Sequence, residues 1–182
     1  MSESTLQRYK WKIEIFDMMN IELNKQARLS EHFTLGELTK TSVKSLDGNI
    51  PSRVVIENLK RLCPWLEELR ARYNKLYVMP SACVSPEEPI IITSGYRSPD
   101  VNKAVGGVNS SNHLTGCAVD IRCFGVEQAI RYAAILLDIA DDRQEDYDEL
   151  LIERNRKGHY WVHFAVCPPK EVNRRKTLFI QT

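Results

Sequence analysis

Apolar residues follow the helical period of 3.6 residues in two long stretches of the chain. The first runs from Arg53 to Tyr73 and the second from Val126 to Ala140. The first predicts the longest core helix, although we expect Pro64 to kink or split it, because proline removes a helical hydrogen bond. The N-terminal stretch from Tyr9 to Lys25 mixes helical and alternating spacing, and we interpret it as a helix.

Shorter apolar runs are typical of strands. A β-branched run at 89–94 and an alternating run at 118–123 predict two strands. Two further runs, 147–154 and 159–167, are joined by the polar turn 155–158 and predict a hairpin. The central strands of the predicted sheet therefore come from the second half of the chain.

Capping residues predict two short helices. Thr34 and Glu37 have the spacing of a capping box within the segment 31–38. Ser98 precedes a proline, which predicts a helix over 99–105. The order of helices, strand, short helix, strand, helix and hairpin predicts an α+β fold with an antiparallel sheet packed with helices.

Length and composition fit one globular domain with its own core. The chain has 182 residues, of which 43% are hydrophobic. We divide it into an N-terminal helical extension, 1–28, and a catalytic domain, 29–182. The 25 Lys and Arg nearly balance the 24 Asp and Glu, so no global charge favours nucleic acid or an anionic membrane. The basic segment Lys170–Lys176 is expected to be a solvated tail.

Targeting signals and cysteine frameworks are not indicated. The N-terminal residues interleave charges with apolar positions, unlike a secretory signal, and no window approaches the roughly 20 apolar residues of a membrane span. We therefore expect a protein made in the cytosol, with no membrane partner. The five cysteines are scattered and form no Cys-x-x-Cys pair, which argues against disulfides and a thiolate zinc site.

Two histidines and one aspartate supply candidate metal ligands. His113 precedes Asp120 by seven residues, and His163 lies on an aromatic and apolar strand. Two imidazoles and one carboxylate are ligands of a catalytic zinc site, which keeps its fourth position open. The alternatives are that Asp120 caps a turn or pairs with Arg122, that His113 is a solvated loop residue, and that His163 is a satisfied core histidine. Gly116 is expected to relieve the backbone between the first two residues.

Three motifs together resemble a known family. They are Ser-Gly-Tyr-Arg-Ser at 94–98, Ser-x-His-x-x-Gly-x-Ala-x-Asp at 111–120 and Trp-Val-His at 161–163. This combination resembles the zinc D-alanyl-D-alanine carboxypeptidase family, which includes D-Ala-D-Ala dipeptidases and phage L-alanyl-D-glutamate endolysins. The resemblance runs from Phe33 to Val166.

The resemblance implies a hedgehog/DD-peptidase-like fold and one zinc ion held by His113, Asp120 and His163. It also implies hydrolysis of peptide bonds in peptidoglycan stems, as a carboxypeptidase or an endopeptidase, by a metal-activated water. Arg97 occupies the family's arginine position and is expected to bind the substrate carbonyl or its terminal carboxylate. An ion pair that steadies the loop is the alternative for Arg97. Ser111 is a candidate substrate contact or a turn residue.

The general base is left open between two residues. Some relatives carry a glutamate three to five residues before the last zinc histidine, where this chain has Gly158, His159 and Tyr160. The first candidate is Glu153, whose Leu-Leu-Ile-Glu strand resembles that of the carboxypeptidase-like branch. The second is His159, which shares a strand face with His163. We expect the nearby Asp148 and Glu149 to be solvated charges, with orientation of a ligand or base as the alternative.

Rival functions remain beside the peptidase. A non-enzymatic zinc-binding recognition module of the same fold is the main alternative, and a domain without metal is the weaker one. Under the leading hypothesis the partner is a peptidoglycan peptide, and the protein is expected to be a monomer. The lack of a signal fits a phage lysis enzyme, an endolysin released to the cell wall through a separate pore, or a tail-associated protein.

Overall fold

The computed structural model describes residues 24–79 and 87–181. Nearly all of the helix predicted at 9–25 lies outside these residues, and so does Cys83. The division into an extension and a catalytic domain therefore stays a prediction. The other four cysteines are buried thiols. No helix among the described residues is long and apolar enough to cross a membrane.

Four α-helices and two short helical segments lie in the described residues. The helices are α1 (Leu35–Leu38), α2 (Arg53–Tyr73), α3 (Pro99–Ala104) and α4 (Val126–Arg143); a π-helical segment (Asn74–Val78) follows α2, and a 3-10 turn (Asn112–Thr115) precedes the second strand. The strands are β1 (Ile92–Ser94), β2 (Ala118–Cys123), β3 (Glu149–Arg154), β4 (Tyr160–Ala165) and β5 (Lys176–Gln181).

The capping predictions are confirmed. Thr34 and Glu37 form both hydrogen bonds of a capping box at the start of α1. Ser98 accepts the backbone N–H of Val101 at the start of α3, with a proline at the first helical position. The capping side chains can thus be predicted from the local sequence, because each capping hydrogen bond joins residues only three positions apart.

The long helix α2 runs through Pro64 without being split, contrary to one form of the prediction. Its apolar face packs on the sheet, where the Trp65 ring lies 5.1 Å from the ring of Phe164 on β4. It also packs against α4, where the rings of Tyr73 and Tyr132 are 4.8 Å apart. Burial along this face outweighs the hydrogen bond that the proline removes.

The sheet has five strands in the order β1-β2-β4-β3-β5, and the α+β prediction is confirmed. Every pair is antiparallel except β3 with β5, which is parallel, so the sheet is mixed rather than purely antiparallel. The strand β5 was missed, because its neighbourhood was interpreted as a solvated basic tail. The predicted hairpin of β3 and β4 is confirmed and places β4 at the centre.

Alternation along the strands divides the sheet into two faces. On one face the buried apolar side chains of β2, β3 and β4 join those of α2 and α4 in a single core. The helix-covered face includes Val119, Ile121, Leu150, Val162 and Phe164. On the other face the same strands carry Asp120, His163 and their polar neighbours, and this face holds the candidate site.

Candidate metal centre

The first candidate ligand, His113, lies in the 3-10 turn before β2 and is 2% exposed. Its backbone N–H donates to the Ser111 side chain over 3.4 Å, so Ser111 caps the turn. The amide of Asn58, on α2, donates to the carbonyl of Thr115 over 2.9 Å. These contacts fix the histidine-bearing turn to the long helix.

Gly116 ends this turn, and only glycine fits there. Its φ of 72° lies in the left-handed region that other residues avoid. A Cβ at this position would also lie 2.8 Å from the Cγ1 atom of Val55. Gly116 thus relieves the backbone between His113 and Asp120, as predicted, and it also lets the chain enter β2 close to α2.

Asp120 and His163 face each other on neighbouring strands. They are directly paired in the antiparallel ladder of β2 and β4. Because paired residues project to the same face, their side chains meet. Nδ1 of His163 lies 2.9 Å from Oδ1 of Asp120. The strand register thus brings together two residues that are 43 positions apart in sequence.

The turn and the ladder bring all three candidate ligands to one point. Single ligand atoms of His113, Asp120 and His163 lie within 4.8 Å of one another, and all three residues are buried. Nε2 of His113 is 3.3 Å from the same Oδ1 of Asp120 that His163 contacts. One cation could therefore contact two nitrogens and one oxygen, a donor set that suits zinc with a position left open.

The outer nitrogen of each histidine faces an acceptor. Nδ1 of His113 lies 2.6 Å from the carbonyl oxygen of Gly95. Nε2 of His163 is 3.6 Å from a carboxylate oxygen of Glu149. A histidine that donates through one nitrogen presents a lone pair on the other, which is the usual arrangement around a bound metal. The contacts therefore leave Nε2 of His113 and Nδ1 of His163 as the metal-binding atoms.

Gly95 supports this arrangement in a way that the sequence did not reveal. A Cβ on Gly95 would lie 2.2 Å from the carbonyl oxygen of Leu38, so glycine is needed for the loop to approach the end of α1. The next residue, Tyr96, donates its N–H to that same carbonyl over 2.8 Å. The sequence named Gly95 only as part of a motif, since a backbone acceptor leaves no side-chain signal.

Arg97 binds the remaining oxygen of the aspartate. Its Nη2 donates to Oδ2 of Asp120, and its Nε donates to the Ser94 hydroxyl over 2.8 Å. The ion pair is thus made with a candidate ligand and does more than steady the loop. It orients the carboxylate so that Oδ1 faces the two histidines.

The electrostatics of the cluster favour a cation. Burial raises the pKa of Asp120, but the charge and hydrogen bond of His113 and the hydrogen bond of His163 hold it well below its usual range. Burial lowers the pKa of His163, but its hydrogen bond to Asp120 and its contact with the Glu149 carboxylate raise it to about 9. The surrounding carboxylates therefore stabilise positive charge at this point of the sheet, whether as a proton or as a metal ion.

The cluster lines a cleft of about 700 Å³ that also contains Glu153, Arg97 and Ser111. Glu153 is paired with Trp161, two residues before His163 on β4. Glu153 and His163 are therefore diagonal neighbours on adjacent strands. The backbones of such residues are about 7–8 Å apart, a distance that a long side chain can span. Burial raises the pKa of Glu153, while the charge of His163 opposes the increase.

The other candidate base, His159, lies elsewhere. It is exposed and precedes β4, where its backbone N–H donates to the Asn155 side chain over 3.0 Å. It lines a neighbouring pocket of about 630 Å³ together with Arg122 and Phe124. The structure thus brings Glu153 into the cleft of the ligand cluster and leaves His159 beside it.

Asp148 is not the solvated charge that the sequence predicted. It is 1% exposed and accepts two hydrogen bonds of 2.7 Å from Arg174. It also accepts the amide of Asn112, the neighbour of His113, over 2.8 Å. These bonds hold the pKa of Asp148 well below its usual range, with Arg174 as the largest cause. Asp148 therefore connects the histidine-bearing turn to the segment before β5.

Glu149 is also bound rather than solvated. The contact with His163 lowers the pKa of Glu149 against the effect of burial, and Lys176 lowers it further, to about 2. Lys176 donates to this carboxylate over 3.0 Å. Arg174 and Lys176 are partly exposed, as predicted for this basic segment, but both bind these carboxylates and so are not simply solvated charges. A sequence pattern could not show it, since the partners are 26 and 27 residues apart.

Together, the α+β fold and the buried His-Asp-His cluster in an open cleft form a candidate site for one metal ion. A family model described as Peptidase M15 matches residues 31–152. The chain therefore belongs to the peptidase M15 family, whose members are zinc-dependent metallopeptidases. The match includes His113 and Asp120 but ends before β4, so the third histidine joins them through the fold. No curated protein matches the chain.

Proposed function

We propose that this protein is a zinc-dependent peptidase that hydrolyses peptide bonds in peptidoglycan stem peptides. The observation that carries the proposal is the presence of a carboxylate with a raised pKa, Glu153, in the same cleft as the His-Asp-His cluster. A binding module has no need of a base at this place. A hydrolase does, because water must lose a proton as it attacks a carbonyl.

Three side-chain atoms would hold the zinc ion: Nε2 of His113, Oδ1 of Asp120 and Nδ1 of His163. The other polar atom of each of these side chains already contacts a protein group, namely the Gly95 carbonyl, Arg97 or Glu149. When bound, zinc lowers the pKa of water and polarises a carbonyl group.

Glu153 accepts the proton of the attacking water and then delivers it to the leaving amine. Its raised pKa suits both steps, since a base that is too weak takes no proton and one that is too strong does not return it. Burial is the largest cause of that increase, so the protein environment tunes the residue. His159 is the alternative base, and its position in the neighbouring pocket makes it the weaker candidate.

Arg97 stabilises negative charge on the substrate carbonyl as water adds. Two of its five N–H groups are used by Asp120 and Ser94, which leaves others for a ligand in the cleft. Preorganised donors of this kind are often the largest single contribution to catalysis. Ser111 borders the same cleft and is proposed as a further substrate contact.

Peptidoglycan is proposed as the substrate because of the three motifs at 94–98, 111–120 and 161–163, whose combination is typical of wall-degrading relatives. The test is mass spectrometry of purified muropeptides after digestion by the zinc-loaded protein. We expect a mass loss that identifies one cleaved bond and disappears on chelation. If stoichiometric zinc binds and raises the melting temperature but no muropeptide changes, the protein is a zinc-binding recognition module instead.

A further inference from the structure

A second pocket adjoins the candidate metal centre on the same face of the sheet. It has a volume of about 630 Å³ and shares Asp120 and Trp161 with the cleft. The two cavities therefore meet at the centre of the sheet. A peptide whose scissile bond lies at the His-Asp-His cluster would therefore occupy the cleft on one side of that bond and the second pocket on the other side.

Arg122 gives this pocket an unbalanced positive charge. It lies two residues beyond Asp120 on β2, and so about 7 Å further along the same face. It is exposed, and no ion pair joins it to any carboxylate within residues 24–79 and 87–181. The pocket contains one acidic residue, Asp120, whose carboxylate already binds Arg97 and both histidines.

Arg97 was expected to bind either the substrate carbonyl or its terminal carboxylate. A comparison with Arg122 indicates that two different arginines fill these two roles. The guanidinium of Arg97 is tied to Asp120 and Ser94, and its side chain is only 19% exposed. The guanidinium of Arg122 has no such partner among the residues that the structure describes, and it lines an open pocket. A planar guanidinium with free N–H groups binds a carboxylate through two parallel hydrogen bonds.

We propose that Arg122 binds a carboxylate of the peptide substrate and thereby determines which stem peptides are accepted. His159 lies in the same pocket, and its imidazole N–H contributes a second donor. The aromatic side chains Phe124 and Trp161 form apolar walls that reduce the competition of water for the pair. This inference rests on the proposed function, because it names the part of the substrate that lies beside the scissile bond.

Two carboxylates of a stem peptide have the required chemistry, the C-terminal one and the α-carboxylate of D-glutamate. The probes are the pentapeptide L-Ala-γ-D-Glu-L-Lys-D-Ala-D-Ala, its C-terminal amide and its D-glutamate amide. Binding is measured by calorimetry on the zinc-loaded Glu153→Gln variant, which holds the peptide without relying on turnover. Values of kcat/KM are measured on the protein with Glu153 intact.

We expect one amide to bind more weakly than the free acid, and that amide identifies the carboxylate. Replacing the arginine (Arg122→Gln) should weaken binding of the free acid by about 10- to 100-fold, the loss expected for a hydrogen bond to a charged group. It should also bring the ratio of acid to amide kcat/KM close to one. The matched control is Arg156→Gln, which removes the same charge from the exposed hairpin turn. It should change neither the binding of the free acid nor the ratio of acid to amide kcat/KM.

Four results would overturn the inference. If the acid and both amides bind equally, no carboxylate is recognised. If Arg156→Gln weakens binding as much as Arg122→Gln does, the effect is one of general charge. If the zinc-loaded protein neither binds nor cuts any form of the peptide, the proposed function itself fails and the substrate subsite with it. Cleavage with equal preference for acid and amide would remove the subsite alone.

Discussion

The two faces of the sheet differ in what covers them and in what they carry. One face is closed by α2 and α4 and holds only apolar side chains at its centre, such as Ile121 and Phe164. The other carries Asp120, His163 and Glu149 beside an open cleft. Because the same strands supply both faces, successive residues along a strand alternate between the apolar core and the candidate site. Substitutions on the two faces should therefore have separable effects.

The strongest test of the open face is to remove the aspartate at the centre of the ligand cluster. In Asp120→Ala both histidines and Arg97 lose their shared partner. We expect zinc retention to be lost, with an affinity decrease greater than the roughly 10- to 100-fold typical of residues that only orient a ligand. Zinc content by mass spectrometry of the purified protein is the measurement. A variant that keeps stoichiometric zinc would show that the metal lies elsewhere.

A second change on the open face should spare the metal and remove the chemistry. Glu153→Gln keeps the shape of the side chain but cannot accept a proton. We expect full zinc content and a decrease in kcat of about 10²- to 10⁴-fold, the usual contribution of general base catalysis. The matched variant His159→Gln should decrease kcat far less. The opposite ranking of the two variants would assign the base to His159.

The covered face should respond in the opposite way. Leu150 is fully buried and is the neighbour of Glu149 along β3. We expect Leu150→Ala to lower the free energy of unfolding by about 2–5 kcal/mol, the range for a large-to-small core change. The folded variant should keep its zinc and its kcat. Chemical denaturation measures the first effect, and a loss of kcat in proportion to stability would show that the two faces are coupled.

The smallest effect is expected at the buried Asp148, which connects the histidine-bearing turn to the segment before β5. Its pKa is held below the unfolded value of about 4, so its stabilising contribution is present above that pH and is lost as pH falls. We expect Asp148→Asn to cost about 1–3 kcal/mol at neutral pH. The variant should also lose less stability on acidification. Melting temperatures measured from pH 7 to pH 3 test this, and parallel curves for both proteins would contradict it.

A structural feature can be predicted from the sequence when the residues that determine it lie close together in the chain. The helix caps at Thr34 and Ser98 involve bonds across three residues, and the strand with Asp120 alternates within six positions. The ligand cluster was predictable because its residue types are rare together in a core. The pairing of Asp148 with Arg174 was not, because charged residues 26 positions apart read as solvent-exposed until the fold joins them.

The same limit explains the two misinterpreted segments. The local cost of Pro64 predicts a kinked or split helix, but the packing of α2 on the sheet and on α4 keeps the helix continuous. The strand β5 has little alternation of its own, and its parallel pairing with β3 supplies the order. Gly95 acts through a carbonyl group that every residue type possesses. These features depend on tertiary context, and residue type alone does not encode them.

The central position of β4 has a consequence for how the protein becomes active. This strand lies between β2 and β3 in the sheet but follows both in the chain, and it carries the last of the three histidines. A nascent or prematurely ended chain without it has neither a continuous sheet nor a complete set of donors. A metal ion that needs all three donors would therefore bind only after β4 has joined the sheet. The ion would then fasten the late strand to the early ones, so that a correctly assembled chain is also the one that acquires its cofactor.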